Sequence, residues 1–341
     1  MTKLLKLSLA ASAAAAAILA VASSSSAQDD GRVKIAAFVL ATANAYSQQN
    51  LAGIEAAAKA AGNVDITVFD GGFDGAKQLG QIQDAVASGG FKGMVVFPNS
   101  SVAVVPGVAE AAAAGIPVVA AYAPIGPDAN KPEPQVEGVI GTVWHPNLED
   151  GKALGEMAVD ACKEQHPDAK PCKVAYISGG NSILFEQIKL EEYKKVIGAA
   201  DVPIELVAQQ EGNFVIGDAR TATENILQAH PDLNVISTSA DQMTIGAQQA
   251  VQDAGLTGIS LLGDGASLEG VAAVKDGKWF GTAVFLPVDE GRLATEMLID
   301  KINGKDPQNP VVNVRDHSPV GTVFTAKTTG DFTAQWSAVG N

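Results

Sequence analysis

Short β-branched runs alternate with Ala-rich amphipathic stretches, in a pattern that runs through once and then restarts near residue 145. Residues 33–40 predict a buried strand, apolar and β-branched with polar flanks. A helix over 48–61 follows, with Gly62 as its stop signal. Strand 64–69, helix 75–88 closed by Gly89-Gly90, strand 93–97, helix 102–114 ended by Gly115, strand 116–122 and a shorter strand 139–143 complete the first series. The second series reads helix 148–165, strand 173–178, helix 184–199, strand 204–208, helix 216–229, strand 235–238, helix 243–254, strand 259–263, helix 268–275, strand 281–286 and helix 289–302. Alternation at this spacing predicts parallel sheets with helices on both faces. Two sheets of about five strands suit the chain better than one open sheet of about ten. The expected fold class is α/β, with two similar Rossmann-like lobes and a cleft between them. Ligands of such sheets sit beyond the carboxyl ends of the strands. The loops after Leu40, Phe97, Tyr122, Ser178, Thr238 and Gly263 are therefore the places to inspect.

Residues 1–27 do not fit this pattern. Lys3 and Lys6 precede an apolar, Ala-rich run from Leu7 to about Ala22, and Ser25-Ser26-Ala27 supplies small residues for cleavage. This is the pattern of a signal peptide. The run is too short and too weakly apolar for a spanning helix, which needs about 20 strongly apolar residues. Removing the two lysines takes the formal charge from −15 to −17. So acidic a product is not expected to bind nucleic acid or an anionic membrane. Export also gives the two cysteines a meaning. Cys162 and Cys172 close a short loop over 163–171, and an oxidising compartment predicts a disulfide there rather than two free thiols. Such a bond stabilises by about 2–3 kcal/mol in the chain-entropy picture. The stretch 124–134 holds four prolines and reads as a surface loop. The stretch 322–341 lacks helical period, but Phe324, Phe332 and Trp336 predict that it packs on a lobe.

Catalytic signatures are missing. There is no G-x-S-x-G, no phosphate loop, no H-E-x-x-H and no C-x-x-C. Gly263-Asp264-Gly265 follows a strand, but Leu268 stands where a dinucleotide loop needs its third glycine, so a turn exposing Asp264 is expected. His166 and His230 each precede proline at a helix end and read as caps. With no nucleophile–base pair, a binding protein is expected rather than an enzyme, with no cofactor and no metal.

Several stretches together resemble the ribose-type periplasmic substrate-binding proteins of ABC sugar importers. They are the opening strand and loop from Ile35 to Tyr46 with Asn44, Asp70…Ala76-Lys77-Gln78, Ile116-Pro117-Val118-Val119, Ala229-His230-Pro231-Asp232 leading to Asp241-Gln242-Met243 and Gly246-Ala247, Val274-Lys275-Asp276-Gly277-Lys278, and Leu286-Pro287. The resemblance covers about residues 33–315. It implies three chain crossings, near His145, Leu286 and residues 313–317. The N-terminal lobe would then be 28–145 plus 287–315, and the C-terminal lobe 146–286 plus 316–341.

The resemblance also implies a pocket. Asn44 falls on a ligand-binding Asn, Tyr46 and Ser47 where two aromatics commonly cover the sugar ring, Lys189 on a ligand-binding Arg, and Phe214 on a stacking aromatic. The departures are as informative. Tyr122-Ala123 stands for an Asp-Arg pair, Phe97 for Asn, His145 for Ser, Ala240-Asp241 for Asn-Asp, Asp264-Gly265 for Phe-Asp and Phe285 for Gln. The pocket has exchanged hydroxyl partners for aromatics, and a buried unpaired hydroxyl is costly. Ribose itself is therefore not expected, and a smaller polyol, a deoxy-sugar or a less polar ring is. The implied function is capture of a small carbohydrate outside the cytoplasm and delivery, as a monomer, to ABC permease subunits. A sensor presenting its ligand to a membrane receptor is the alternative. A transcription regulator would need a DNA-binding segment where the leader stands.

Overall fold

Each half of the chain supplies five strands of one sheet, and the order of those strands is the same in both. The structure is a computed structural model that describes residues 31–328 and 331–340. The leader 1–27 lies outside the described residues. The first series is β1 (Val33–Val39), α1 (Ala45–Ala61), β2 (Val64–Asp70), α2 (Gly75–Ser88), β3 (Gly93–Val96), α3 (Val105–Ala113), β4 (Val118–Tyr122) and β5 (Val139–Trp144). The second is α4 (Asn147–Gln165), β6 (Cys172–Ser178), α5 (Leu184–Gly198), β7 (Ile204–Glu211), α6 (Ile216–Ala229), β8 (Val235–Thr238), α7 (Asp241–Asp253), β9 (Ser260–Gly265), α8 (Leu268–Lys275) and β10 (Gly281–Val284). Then come α9 (Pro287–Ile302), β11 (Val311–Asn313) and β12 (Val323–Thr325).

The first sheet has the order β11-β5-β4-β3-β1-β2 and the second β12-β10-β9-β8-β6-β7. All pairings are parallel except β12 with β10. Among the described residues the sheets therefore have six strands each, not five. Both added strands, β11 and β12, are three residues long, too short to show a period of two. They also lie on the far side of a chain crossing. The chain passes between sheets after β5, after β10 and between β11 and β12.

Alternate residues of β1 face different helix layers, as the pleat requires. Ile35 and Ala37 pack with Ile54 of α1 and Leu298 of α9. Ala36 and Phe38 pack with Ile82 of α2 and Val108 of α3. In the second sheet Val174 and Tyr176 pack with Leu154 of α4 and Tyr193 of α5. Burial on both faces explains why these strands read as apolar runs rather than alternating ones.

Two close helix contacts position the site. A Cβ at Gly291 of α9 would overlap the Asn50 carbonyl of α1, so only glycine lets these helices meet backbone to backbone. Gly151 of α4 is placed likewise against the Lys189 carbonyl of α5. The first contact brings Glu290 beside Asn50, and the second brings Asp150 towards Lys189. Cys162, near the end of α4, is bonded to Cys172 at the start of β6, with Cα atoms 5.9 Å apart.

Candidate functional site

Loops at the carboxyl ends of strands in both sheets converge on one cavity of about 40 Å³, room for a few ordered waters. The first half contributes Leu40, Asn44, Tyr46, Phe73 and Tyr122; the second contributes Phe185, Lys189, Phe214, Ser239, Ala240, Gln242, Asp264 and Phe285, with Trp336 from beyond β12. Seven of the residues expected from the sequence thus meet here: Asn44, Tyr46, Tyr122, Lys189, Phe214, Asp264 and Phe285. A wider recess of about 400 Å³ shares Asn44, Phe73, Phe214 and Gln242 with it and forms its mouth.

The backbone aims several of these side chains. Five described non-glycine residues have a left-handed φ, namely Phe73, Tyr122, Asn213, Phe214 and Ala266. Three of them line the cavity, and Ala266 lies two residues beyond Asp264. A left-handed backbone is costly for a large side chain and tends to persist where function requires it. Phe73 follows β2 as Phe214 follows β7, with φ of 57° and 56°. Their rings stack with centroids 5.8 Å apart and planes 19° apart. Each lobe thus offers one phenylalanine to the mouth.

The other wall is polar and charged. Lys189 is 1% exposed, and its Nζ donates to Asp264 Oδ2 at 2.9 Å. It also lies 3.7 Å from Asp150 Oδ2 and 3.7 Å from Glu186 Oε1, and over the Phe285 ring at 5.0 Å. Burial alone would lower the Lys189 pKa, but the charge of Asp264 and its neighbours outweighs this and holds the ammonium protonated. Burial pushes Asp264 up to about 7, with the Lys189 charge pulling the other way. Asp264 Oδ1, Gln242 Oε1 and Glu186 Oε1 are buried without a hydrogen-bond partner. All three are acceptors in want of a donor.

Four expected residues lie outside the cavity wall. Phe97 is fully buried in the core past β3, where its carbonyl accepts from Gln78 Nε2. Ser47 is buried in the first turn of α1, and its N–H donates to the capping Asn44 side chain. That bond makes Asn44 an N-cap as well as a wall residue. Asp241 accepts from Ser267 N and from Thr282 Oγ1, each at 2.7 Å, and so braces the turn that carries Asp264. Burial pushes its pKa up to about 6. His145 stands one layer behind the wall, stacked on Tyr122 at 5.4 Å and edge-on to Phe285 at 4.1 Å.

His145 belongs to a buried network that joins all three crossings. Its Nε2 lies 2.8 Å from Asp150 Oδ2, and its Nδ1 faces Glu290 Oε1 at 3.3 Å. Arg315, in the third crossing, binds Asp150. Glu290, in the first turn of α9, accepts from Asn50 Nδ2 and from the Tyr46 hydroxyl. Burial lowers His145 to about 4 and Arg315 to about 10. The imidazole is therefore neutral at pH 7 and the guanidinium charged. Among the described residues no His, Cys, Asp and Glu side chains are grouped to hold a metal ion.

Sequence reasoning missed Phe73, Phe185, Ser239, Gln242 and Trp336. The internal repeat could have found Phe73, because Gly71-Gly72-Phe73 after β2 matches Gly212-Asn213-Phe214 after β7. Trp336 had no such signal.

The fold is that of the two-lobe solute-binding proteins, as its likeness to known proteins shows. A profile of the periplasmic binding protein domain matches residues 35–306, and the chain belongs to that family. The ribose import binding protein RbsB of Bacillus subtilis is 27% identical over 259 residues, 76% of this chain and 78% of that one. A periplasmic solute-binding protein of an ABC transporter from Actinobacillus succinogenes, solved with bound D-allose, superposes with TM-score 0.74 at 24% identity, over 88% of this chain and 100% of that one. A solute-binding protein from Mycobacterium smegmatis with bound glycerol does so with TM-score 0.74 at 24% identity, over 90% and 99%. The family binds and hands over solutes rather than transforming them.

Proposed function

We propose that the cavity, together with the wider recess of about 400 Å³ that shares four of its residues, takes a small, uncharged carbohydrate or polyol with few hydroxyls, and that the closed, loaded protein delivers it to the permease of an ABC importer. We infer that residues 1–27 direct export to the periplasm and are removed near Ala27, and that the product works as a monomer. The observation that carries the ligand reading is Asp264 Oδ1, fully buried, unpartnered, and set among aromatic rings from both halves of the chain. A hydroxyl donating to this oxygen removes its desolvation cost, while the rings cover the C–H faces of the ligand. The relatives support transport over sensing, since their names are those of import and binding proteins. Similar proteins that bind ribose, allose, glycerol and xylitol set the range of ligands to try.

A thermal-shift screen with D-ribose, D-allose, D-fucose, xylitol and glycerol tests the reading. A ligand at 100 times its Kd adds about 2.7 kcal/mol. For the best binder, Asp264→Ala should then weaken binding by roughly 10- to 150-fold, the value of a charge-assisted hydrogen bond, and Asn44→Ala by less. Tyr122→Ala should weaken it through lost contact area. Unchanged affinity in folded Asn44→Ala and Asp264→Ala would remove these residues from the site.

A further inference from the structure

One wall of the cavity comes from outside the range that matches the family. Trp336 lies in the segment 331–340, past residue 306 where the match ends. Its indole is fixed to the second lobe, because Nε1 donates to the Gly265 carbonyl at 2.7 Å and the Trp336 carbonyl accepts from Leu268 N at 2.8 Å. From the first lobe, Tyr46 meets the indole edge-on at 5.9 Å. The residues on either side anchor the segment in opposite directions. Gln335 Oε1 accepts from the N–H groups of Val288 and Asp289, at 3.1 and 3.2 Å, in the first turn of α9. Ser337 Oγ and Ala338 N each donate to the Glu269 carboxylate of α8 at 2.7 Å. Three consecutive residues thus hold a first-lobe helix, the cavity and a second-lobe helix. Residues 338–340 continue along the mouth.

The chemistry of this wall is one-sided. With Nε1 already satisfied, Trp336 offers the cavity no free hydrogen-bonding atom. Tyr46, which touches both Trp336 and Phe285, turns its hydroxyl to Glu290. A ligand hydroxyl aimed at these rings would be stranded, whereas a C–H face or a methyl group would be covered.

We propose that segment 331–340 is a working part of the ligand site. Trp336 is a specificity-determining wall that accepts the apolar face of the ligand, and Gln335 ties that wall to the opposite lobe. This rests on the cavity being the carbohydrate site proposed above. Two measurements test it. The first is calorimetry with D-ribose, D-allose, D-galactose, D-fucose, xylitol and glycerol on wild type, Trp336→Phe and Trp336→Ala. Trp336→Ala should weaken the tightest binder at least tenfold and change its ratio to the next member at least tenfold, and Trp336→Phe should largely restore both. The second needs no ligand: spin labels, one on each lobe, report the interlobe distance in free wild type and in Gln335→Ala, which should shift the distribution. Affinities within twofold of wild type in folded Trp336→Ala, or an unchanged distance distribution in Gln335→Ala, overturn the proposal. If wild type binds no member of the panel, the carbohydrate reading fails, and the distance measurement alone decides the role of the segment.

Discussion

Replacing Lys189 by Met tests the electrostatics of the site most sharply. The ammonium is 1% exposed and donates at 2.9 Å to Asp264, with Asp150 and Glu186 each at 3.7 Å. Met matches the length of the stem and removes the charge. Breaking a buried pair by removing one partner typically costs about 3–5 kcal/mol, because the other charge is left uncompensated. Asp264 can escape by taking up a proton. Its pKa already stands near 7 through burial, and loss of the neighbouring ammonium raises it further. In the variant the folded protein then keeps this proton above pH 7, where wild type releases it, while the unfolded chain of both is ionised above about 3.9. The stability gap should therefore be flat below pH 7 and widen by about 1.4 kcal/mol per unit above it. Urea unfolding from pH 5.5 to 8.5 measures this. Lys189→Met combined with Asp264→Asn should flatten the slope and recover about 2 kcal/mol relative to additivity. Parallel pH curves together with additive costs would refute the argument.

His145 should work in the opposite direction: its folded pKa of about 4 lies below the usual value of about 6.5, so its contribution is present above 6.5 and is lost as pH falls through 4. His145→Gln should remove that acid-side loss, on the order of 3 kcal/mol, and an unchanged acid limb in urea unfolding would contradict it. Replacing Cys162 and Cys172 by Ser opens a short loop on α4 and β6, away from the cavity wall, and should cost about 2–3 kcal/mol with affinity unchanged. A large loss of affinity in a folded double variant would be inconsistent with this placement. Phe73→Ala removes one half of the stacked pair at the mouth, from a residue already 39% exposed. It should speed ligand release severalfold in stopped-flow experiments, as expected for about 0.5–1.5 kcal/mol of ring contact, while stability changes little; an unchanged release rate would show that the pair does not close the mouth.

The alternation and its restart were legible because both sheets are covered on two faces by helices, so the inner strands are apolar runs bounded by glycine or polar residues. What escaped was set by contacts between distant segments. β11 and β12 each rest on three residues, and β12 pairs antiparallel with β10 across two crossings. Of the positions read at strand ends, Asn44, Tyr122 and Asp264 line the cavity, since a strand end fixes direction. Phe97, read in the same way, points into the core past β3. Asp241 lies outside the wall, because the N-terminus of α7 turns its carboxylate to Ser267 and Thr282. His145 stands at a crossing, and its ring is taken up by Asp150, Tyr122 and Phe285. Glu290 and Arg315 gave no local signal, for each is defined by partners over 100 residues away.

The charge balance explains why an uncharged ligand suits this cavity. Around it Asp150, Glu186, Asp264 and Glu290 are buried, against Lys189 and Arg315, with His145 neutral. The acids outnumber the cations, and each cation is already engaged by carboxylates. A ligand phosphate or carboxylate would enter beside these acids with no free cation among the described wall residues to meet it, and burying a like charge there is costly. On the cavity wall the buried unpartnered side-chain atoms are Asp264 Oδ1 and Gln242 Oε1, both acceptors, so what the wall lacks is donors. Hydroxyls supply donors without adding charge. Two residues then connect such a ligand to the hinge. Lys189 holds Asp264 on the cavity side and lies near Asp150 of the crossing network, while Tyr46 lines the cavity with its ring and binds Glu290 through its hydroxyl. If the cavity is the ligand site proposed above, the groups that meet the ligand are also bonded to the groups at the crossings, so that occupation of the cavity bears on the position of the two lobes.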